Sequence, residues 1–324
     1  MTTAIQPLVT QHDNALVLPE ELVASAREYA AAARAERTKQ MYAAAWRGFT
    51  LWCETQGLPS LPASPATVAL YLTARANEGR KVATLSLELV AVSQAHKTAR
   101  HPSPRSSAEV LAVLKGIRRS KGVAQTKKAP VLVPELRMMV AGLPTTSIGL
   151  RDRALLLMGF AGAFRRSELI ALEVGDVVFT GDGLEVTLRR SKTDQEGAGQ
   201  KVGIPFGSDP ATCPVRSLRK WLDAAELKEG RLFRSVNRHG HLGGSLTGHG
   251  VALIVKRAAE RAGLDAGNYS GHSLRAGLAT AAARAGKQER IIAKQTRHKS
   301  IAVLRGYIRD AELFTENAAS GIGL

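Results

Sequence analysis

Two arginines, two histidines, a lysine and a tyrosine in this 324-residue chain have the types and spacing to act on a phosphate ester. They stand in four separated segments. One is Gly162-Ala163-Phe164-Arg165-Arg166-Ser167-Glu168-Leu169, and another is Arg190-Ser191-Lys192-Thr193. The third is Gly271-His272-Ser273-Leu274-Arg275, and the fourth joins His298 to Tyr307, nine residues later, within Arg297-His298-Lys299-Ser300-Ile301 and Gly306-Tyr307-Ile308-Arg309. Attack on a phosphodiester gathers negative charge on its equatorial oxygens, and guanidiniums meet that charge with permanently cationic, bidentate donors. A tyrosine with a pKa of about 10 is mostly protonated at neutral pH, so it attacks only beside a base or in a cationic pocket. His272, Arg275, His298 and Arg165 could provide both. His272 and Arg275, three apart, share one helix face, and a helix start there would itself favour a phosphate.

Each residue also has a plainer role. Arg165 alone reads as a helix-surface arginine with Glu168 as its i,i+3 partner. Lys192 reads as a solvated lysine, with Lys201 a rival for any chemical role. His272 could pack or cap, Tyr307 could be a core aromatic, and Tyr269 is an alternative nucleophile close to the H-x-x-R.

Other chemistries lack their motifs. There is no G-x-x-x-x-G-K-[ST] and no G-x-G-x-x-G after a strand, so neither ATP nor a dinucleotide is expected. His239, His241 and His249 lie in a Gly-rich loop with no neighbouring Cys or carboxylate, which fits a polar loop near phosphate better than a metal site. Cys53 and Cys213 are too few for a disulfide framework. No cofactor or metal is expected.

The elements that must position these residues are mainly helical. Residues 1–18 lack periodicity. Helices are expected from Pro19 to about Ala35, Arg37 to Gln56, Pro65 to Asn77 behind an N-capping Ser64, Val82 to Ala99, and Ser106 to Arg119. Ser120 to Pro134 is Lys- and Pro-bearing without amphipathic pattern, and reads as a basic linker. Helices follow at Glu135–Ala141, Arg151–Phe164 and Ser167–Leu172. Three short strands, Val177–Thr180, Leu184–Arg189 and Lys201–Ile204, then imply a small antiparallel sheet. The rest is helical: Val215–Leu227, Gly250–Ala262, His272–Ala285, Gln288–Gln295 and Ile301–Tyr307. The expected organisation is a flexible N-terminus (1–18), a helical domain (19–120), a basic linker (121–134) and a mainly helical α+β domain with a three-stranded sheet (135–324).

The charge balance points to the partner. The chain carries 45 Lys+Arg against 28 Asp+Glu, a net +17. Residues 1–128 hold 17 against 9, and residues 129–324 hold 28 against 19, so both halves are basic. With 44% hydrophobic residues the chain can bury a core and is no disordered polycation. A folded protein with such a surplus in both halves fits a nucleic-acid duplex held from two faces. Arg37, Lys39, Gln40, Arg47, Lys81 and Thr84 could reach the major groove, although a solvated face explains any single one equally well. No secretory pattern opens the chain, and the apolar run Ala154–Phe164 is too short to span a bilayer, so a cytoplasmic protein is expected.

The four segments, taken together and in this order, resemble the tyrosine recombinase (lambda integrase, or phage integrase) family. The first matches its R-x-S-E-L box, and His272-Ser273-Leu274-Arg275-Ala276-Gly277 with Tyr307-Ile308-Arg309 is similar to Cre and related phage and plasmid recombinases. The resemblance extends from about residue 20 onward. It implies an N-terminal core-binding domain and a C-terminal catalytic domain that clamp double-stranded DNA at specific sites. It further implies that Arg165 and Arg275 hold the scissile phosphate, Lys192 protonates the leaving 5′ oxygen, Tyr307 is the nucleophile, and His272 and His298 complete the pocket with Glu168 behind them. The strand is then held as a 3′-phosphotyrosyl bond, without metal or ATP. The tail Ala311 to Leu324, with Leu313, Phe314, Ile322 and Leu324, is implied to dock on a neighbouring copy, giving a homotetramer on two paired sites in the nucleoid. Arg166 departs from the usual apolar residue and Ala276 from a histidine common in other branches. A catalytically silent DNA-binding regulator, a strand-passing or hairpin-resolving relative, and a structural nucleic-acid bridge are the alternatives.

Overall fold

The structure, a computed structural model, describes residues 19–32, 35–123, 128–189, 199–298 and 300–312. Contacts divide the chain into two units, Met1–Thr126 and Lys127–Leu324.

The first unit is helical: α1 (Glu20–Ala32), α2 (Glu36–Thr55), α3 (Pro65–Asn77), α4 (Val82–Thr98) and α5 (Ala108–Lys121). Local chemistry sets these bounds. Ser64 Oγ accepts from the Thr67 amide at 3.0 Å with Pro65 at the first helical position, which starts α3. Arg118, Arg119 and Lys121 occupy the last turn of α5, where cations suit the helix dipole, and Gly122 follows with a left-handed φ of 71°. Phe49 and Cys53 from α2, Tyr71 and Leu72 from α3, Leu85 and Leu89 from α4, and Leu114 from α5 form one core. Phe49 and Trp52 meet Tyr71 edge-on, with centroids at 5.0 and 5.4 Å. His96 is fully buried, accepting at Nε2 from the Ala63 amide and facing the Val92 carbonyl through Nδ1, both at 2.9 Å.

The second unit contains α6 (Val133–Ala141), α7 (Ser147–Ala161), α8 (Arg166–Ala171), β1 (Val177–Phe179), β2 (Gly183–Leu188), β3 (Gln200–Pro205), α9 (Pro214–Ala224), β4 (Arg234–Val236), β5 (Leu242–Ser245), α10 (Gly248–Arg261), α11 (Ser273–Arg284), α12 (Glu289–Thr296) and α13 (Ile301–Glu312). The chain is thus mostly helical with the expected three-stranded antiparallel sheet, ordered β1-β2-β3. Leu184 pairs with Ile204 and Val186 with Val202, and these four face the core, while Glu185 and Lys201 point outward by the two-residue alternation of strands. Helix α7 is apolar all round from Ala154 onward because it is central: it packs on α9 and on α11, with Leu155, Leu156 and Met158 buried. No helix among the described residues is long and apolar enough to cross a membrane.

Three differences from the sequence expectation have physical causes. Helix α7 ends at Ala161 rather than Phe164, because Ala163 is left-handed (φ 47°) and Phe164 folds back over Gly162, where a Cβ would stand 2.2 Å from the ring. The Gly-rich loop around His239 and His241 is the turn of a two-stranded hairpin, β4 with β5, whose glycines hid the strand pattern. Within the stretch read as linker, residues 128–132 lie against the second unit, with the Val131 amide donating to the Ser273 carbonyl at 2.9 Å. Gly277 permits that approach, since a Cβ there would stand 1.9 Å from the Val131 carbonyl oxygen.

Candidate active site

The early end of α7 shapes the site. It leaves the carbonyls of Gly162 and Ala163 without the helical amides that would have taken them, at the negative end of the helix dipole. Both accept from guanidiniums. Arg275, buried on the first turn of α11, donates through Nη1 to the Ala163 oxygen at 2.7 Å. Arg297, buried at the end of α12, donates to the Gly162 and Ala163 oxygens at 2.9 and 3.0 Å.

Arg165 follows in extended conformation as the N-cap of α8. Its amide donates to Glu168 Oε2 at 2.8 Å, its Nη1 to Glu168 Oε1, and its Nη2 to the Arg297 carbonyl at 3.2 Å. Glu168 therefore does more than pair with a surface arginine. It is 2% exposed and also accepts from Arg297 Nη2 at 3.0 Å. Burial alone would push its carboxyl up; the Arg165 amide, the Arg297 guanidinium and the Arg165 side chain outweigh it and hold it below its ordinary value.

Three buried or half-buried guanidiniums thus surround one carboxylate. Burial first, then Arg165 and Arg297, lower Arg275 to about 10, which still leaves it cationic at neutral pH. Its Nη2 is buried and has no hydrogen-bond partner among the described residues.

His298 and Tyr307 enter from the α12–α13 junction. His298 Nδ1 lies 2.7 Å from Thr296 Oγ1, and the His298 and Tyr307 rings are 5.9 Å apart, tilted by 41°. Burial, followed by the charges of Arg275, Arg165 and Arg297, pushes His298 down to about 4. Tyr307 is half-buried against a small cluster of Ala279, Ala283, Ile292 and Leu304, so the seat of α13 is separate from the main core. Tyr269, the alternative nucleophile, belongs to the main core, where burial raises its hydroxyl above the ordinary value.

The structure therefore brings together Arg165, Glu168, Arg275, His298 and Tyr307. His272 stands one turn before Arg275 at the N-cap of α11, exposed, its amide donating to Ser270 Oγ at 3.3 Å. Lys192 lies outside the described residues. Lys201 is on β3, its Nζ 3.0 Å from Glu185 Oε2. Arg166 packs its stem over Gly271, where a Cβ would meet its Cδ at 2.3 Å, which accounts for the departure from an apolar residue. Arg297 and Thr296, which no motif in the sequence marks, also bond to residues of this cluster.

In the first unit Arg37, Gln40 and Arg47 are exposed on α2 and, spaced by three and seven, share a side of the helix. Lys39 is on another side, 3.5 Å from Glu36. Lys81 is exposed at the N-cap of α4 and Thr84 is half-buried on its first turn. Among the described residues no three His, Cys, Asp or Glu side chains gather as metal ligands. His239 and His241 instead help to close the β4–β5 turn, their amides donating to Asn237 Oδ1 at 2.9 and 3.0 Å.

A mainly helical unit around a three-stranded sheet, with a cationic pocket beside a tyrosine, describes a class of DNA strand-breaking enzymes, and comparison with known proteins agrees. The model of the phage integrase family matches residues 133–313. An integrase/recombinase XerD homolog of Selenomonas ruminantium is 39% identical over 305 residues, covering 92% of this chain and 89% of its own. Among solved structures, the XerH site-specific recombinase bound to its palindromic difH substrate shares the fold with a TM-score of 0.60 at 19% identity, over 79% of this chain and 72% of that one. The Tn1549 transposon integrase in complex with transposon right end DNA does so with a TM-score of 0.61 at 13% identity, over 89% and 96%. The chain belongs to the phage integrase family of tyrosine recombinases. It is a site-specific recombinase, an enzyme that breaks and rejoins DNA.

Proposed function

We propose that Tyr307 is the nucleophile of strand cleavage, with Arg165 and Arg275 holding the scissile phosphate. The tyrosine oxygen bonds to phosphorus, the bond from phosphorus to the 5′ oxygen breaks, and that oxygen takes a proton from Lys192. The tyrosine's own proton passes to a base in the pocket, His272 or His298. Reversal by the 5′ hydroxyl of another strand rejoins the DNA, with no metal, ATP or other cofactor in the cycle. The observation that carries this is the convergence on His298 of Arg165, Arg275 and Tyr307, which come from three separate segments of the chain. Arg275 Nη2, buried and with no hydrogen-bond partner among the described residues, supports a phosphate-holding role for this arginine.

The test is covalent capture. The protein is incubated with nicked duplexes of randomised sequence, and protein–DNA adducts are separated on denaturing gels and sequenced. An adduct that is lost in Tyr307→Phe, with DNA binding retained, supports the assignment. An undiminished adduct in Tyr307→Phe overturns it, and no adduct from the unaltered protein favours a silent regulator or a structural bridge. Rejoining to a second duplex, rather than to the same strand, separates recombination from mere strand passage or hairpin resolution.

The same proposal extends to the domains and the assembly. Residues 19–120 serve as the core-binding domain, 121–134 as the linker, and 135–324 as the catalytic domain and its docking tail. Arg37, Gln40, Arg47 and Lys81 contact the duplex, with Lys39 and Thr84 supporting, and the net positive charge of both halves is consistent with this. Four copies act on two paired sites, each giving its tail from Leu313 onward to a neighbour. A cavity of about 630 Å³ in the second unit, lined by Leu136, Leu157, Phe160, Leu278, Ile291 and Ile292, has the apolar character to receive Leu313, Phe314, Ile322 and Leu324 of a second copy. A truncation lacking 313–324 should bind single sites but lose cooperative pairing; full cooperativity would overturn the tail's role. The protein is assigned to the cytoplasm, on nucleoid DNA.

A further inference from the structure

Arg297 has a backbone that suits glycine and a side chain that water would suit better. Its φ of 55° and ψ of 43° are left-handed, a conformation that costs any residue bearing a Cβ. Its guanidinium is removed from solvent, with the residue only 9% exposed, and burial lowers its pKa below the ordinary arginine value against the favourable pull of Glu168. A glycine would form the same turn without either cost, so the guanidinium must account for its presence.

What the side chain holds is the framework of the pocket. Nη1 donates to the carbonyls of Gly162 and Gln295 at 2.9 and 2.8 Å. Nη2 donates to the Ala163 carbonyl and to Glu168 Oε2, both at 3.0 Å. The plane lies over the Phe164 ring, with Cζ at 5.3 Å from its centroid. Through these contacts Arg297 reaches both arginines assigned to the phosphate. It shares the Ala163 oxygen with Arg275 Nη1, and it shares Glu168 with Arg165, whose Nη2 also donates to the Arg297 carbonyl. His298 is the next residue in the chain. The end of α7, the start of α8 and the turn that carries His298 are therefore fixed to one another by a single planar fork. A lysine ammonium, a point charge on a flexible stem, cannot span carbonyls and a carboxylate in this way.

We propose that Arg297 is a positioning residue for strand cleavage, which sets Arg165, Arg275 and His298 in one register without itself touching the DNA. The proposal rests on Tyr307 being the nucleophile. Displacing reacting groups by about 1 Å costs on the order of 100-fold in rate, so loss of the fork should appear in the chemical step and not in binding.

The experiment measures single-turnover adduct formation, on the nicked duplex selected by covalent capture, for the unaltered protein, Arg297→Gly and Arg297→Lys, with duplex affinity and thermal unfolding alongside. Arg297→Gly relieves the left-handed strain and leaves Glu168 paired with Arg165, so it is expected to be less stable but folded, and to bind DNA within about twofold while cleaving on the order of 100-fold more slowly. Arg297→Lys should be nearly as slow, and millimolar guanidinium should partly restore Arg297→Gly by refilling the fork's place. Cleavage at the unaltered rate in either variant overturns the proposal. So does a loss that guanidinium leaves unchanged and that follows the loss of folded protein in both variants, which would make Arg297 purely structural. Absence of an adduct from the unaltered protein would overturn the assignment of Tyr307, and the role of Arg297 with it.

Discussion

Thr296 Oγ1 lies 2.7 Å from His298 Nδ1 while donating its single hydrogen to the Ile292 carbonyl, also at 2.7 Å. With that hydrogen engaged, the hydroxyl can only accept from the ring, so Nδ1 carries the imidazole hydrogen and Nε2 keeps a lone pair. This tautomer follows from the hydrogen-bond network. It leaves Nε2 as an acceptor on a ring that stands 5.9 Å, centroid to centroid, from Tyr307.

The threonine should matter to chemistry more than to folding. Thr296→Val keeps the shape and removes the acceptor, freeing His298 to rotate or change tautomer. Adduct formation is expected to fall about tenfold, the lower end of what loss of the partner that orients a metal-bound imidazole costs. Thr296→Ser should retain most of the activity. Equal rates for Thr296→Val and the unaltered protein in single-turnover assays would remove the hydroxyl from the mechanism.

His298 also predicts a pH dependence of stability. Unfolded, it titrates near 6.5; folded, burial and the charges of Arg275, Arg165 and Arg297 bring it to about 4. Between these values the unfolded chain binds a proton that the folded protein does not, so stability falls as pH drops from 6.5 towards 4 and the contribution is complete above 6.5. Glu168, held below its ordinary 4.5, acts in the same direction but only at lower pH. Denaturant titrations from pH 4.5 to 7 should show a shallower slope for His298→Gln than for the unaltered protein. Parallel slopes would mean that the ring is not held neutral by its surroundings.

Much of this was legible in the sequence because it is local. Ser64 and Pro65 start a helix by capping, Val186 and Val202 alternate with outward residues, and the R-x-S-E spacing of Arg165 and Glu168 places the carboxylate on the arginine's own amide. What escaped depends on approach between distant segments. The glycines of β5 conceal a strand that pairing with β4 creates, and the fold-back of Phe164 over Gly162 shortens α7 by packing. Arg297 is one basic residue among many until the Ala163 carbonyl, 134 residues earlier, arrives beside it. Tyr307 stands out in sequence by its nine-residue offset from His298, and that it sits in a different apolar cluster from Tyr269 is visible only once the helices pack.

Glu168 is bonded to both Arg165 and Arg297, with its side chain 1% exposed. Removing one partner of a buried ion pair leaves uncompensated charge and costs about 3–5 kcal/mol. Glu168→Ala should lose stability of that order in denaturant melts. Glu168→Gln, which keeps an acceptor for the Arg165 amide, should lose less. A change within about 0.5 kcal/mol for Glu168→Ala, the scale of a surface substitution, would show that the arginines find other compensation.

Two lysines compete for the acid that protonates the leaving oxygen. Lys201 is engaged across the ladder with Glu185 at 3.0 Å, its side chain 73% exposed, which is the arrangement of a surface ion pair of little energetic consequence. Lys192 falls in the β2–β3 connection, outside the described residues, and is assigned the role by resemblance. Loss of a general acid lowers rates by ~100- to 10,000-fold, so Lys192→Ala should cleave that much more slowly while Lys201→Ala stays near the unaltered rate. A substrate whose 5′ leaving atom is sulfur needs little protonation, because a thiolate leaves readily, and it should restore cleavage by Lys192→Ala selectively. If Lys201→Ala is the slow variant and the one restored by sulfur, the acid is Lys201, and the Glu185 pair must open when DNA binds.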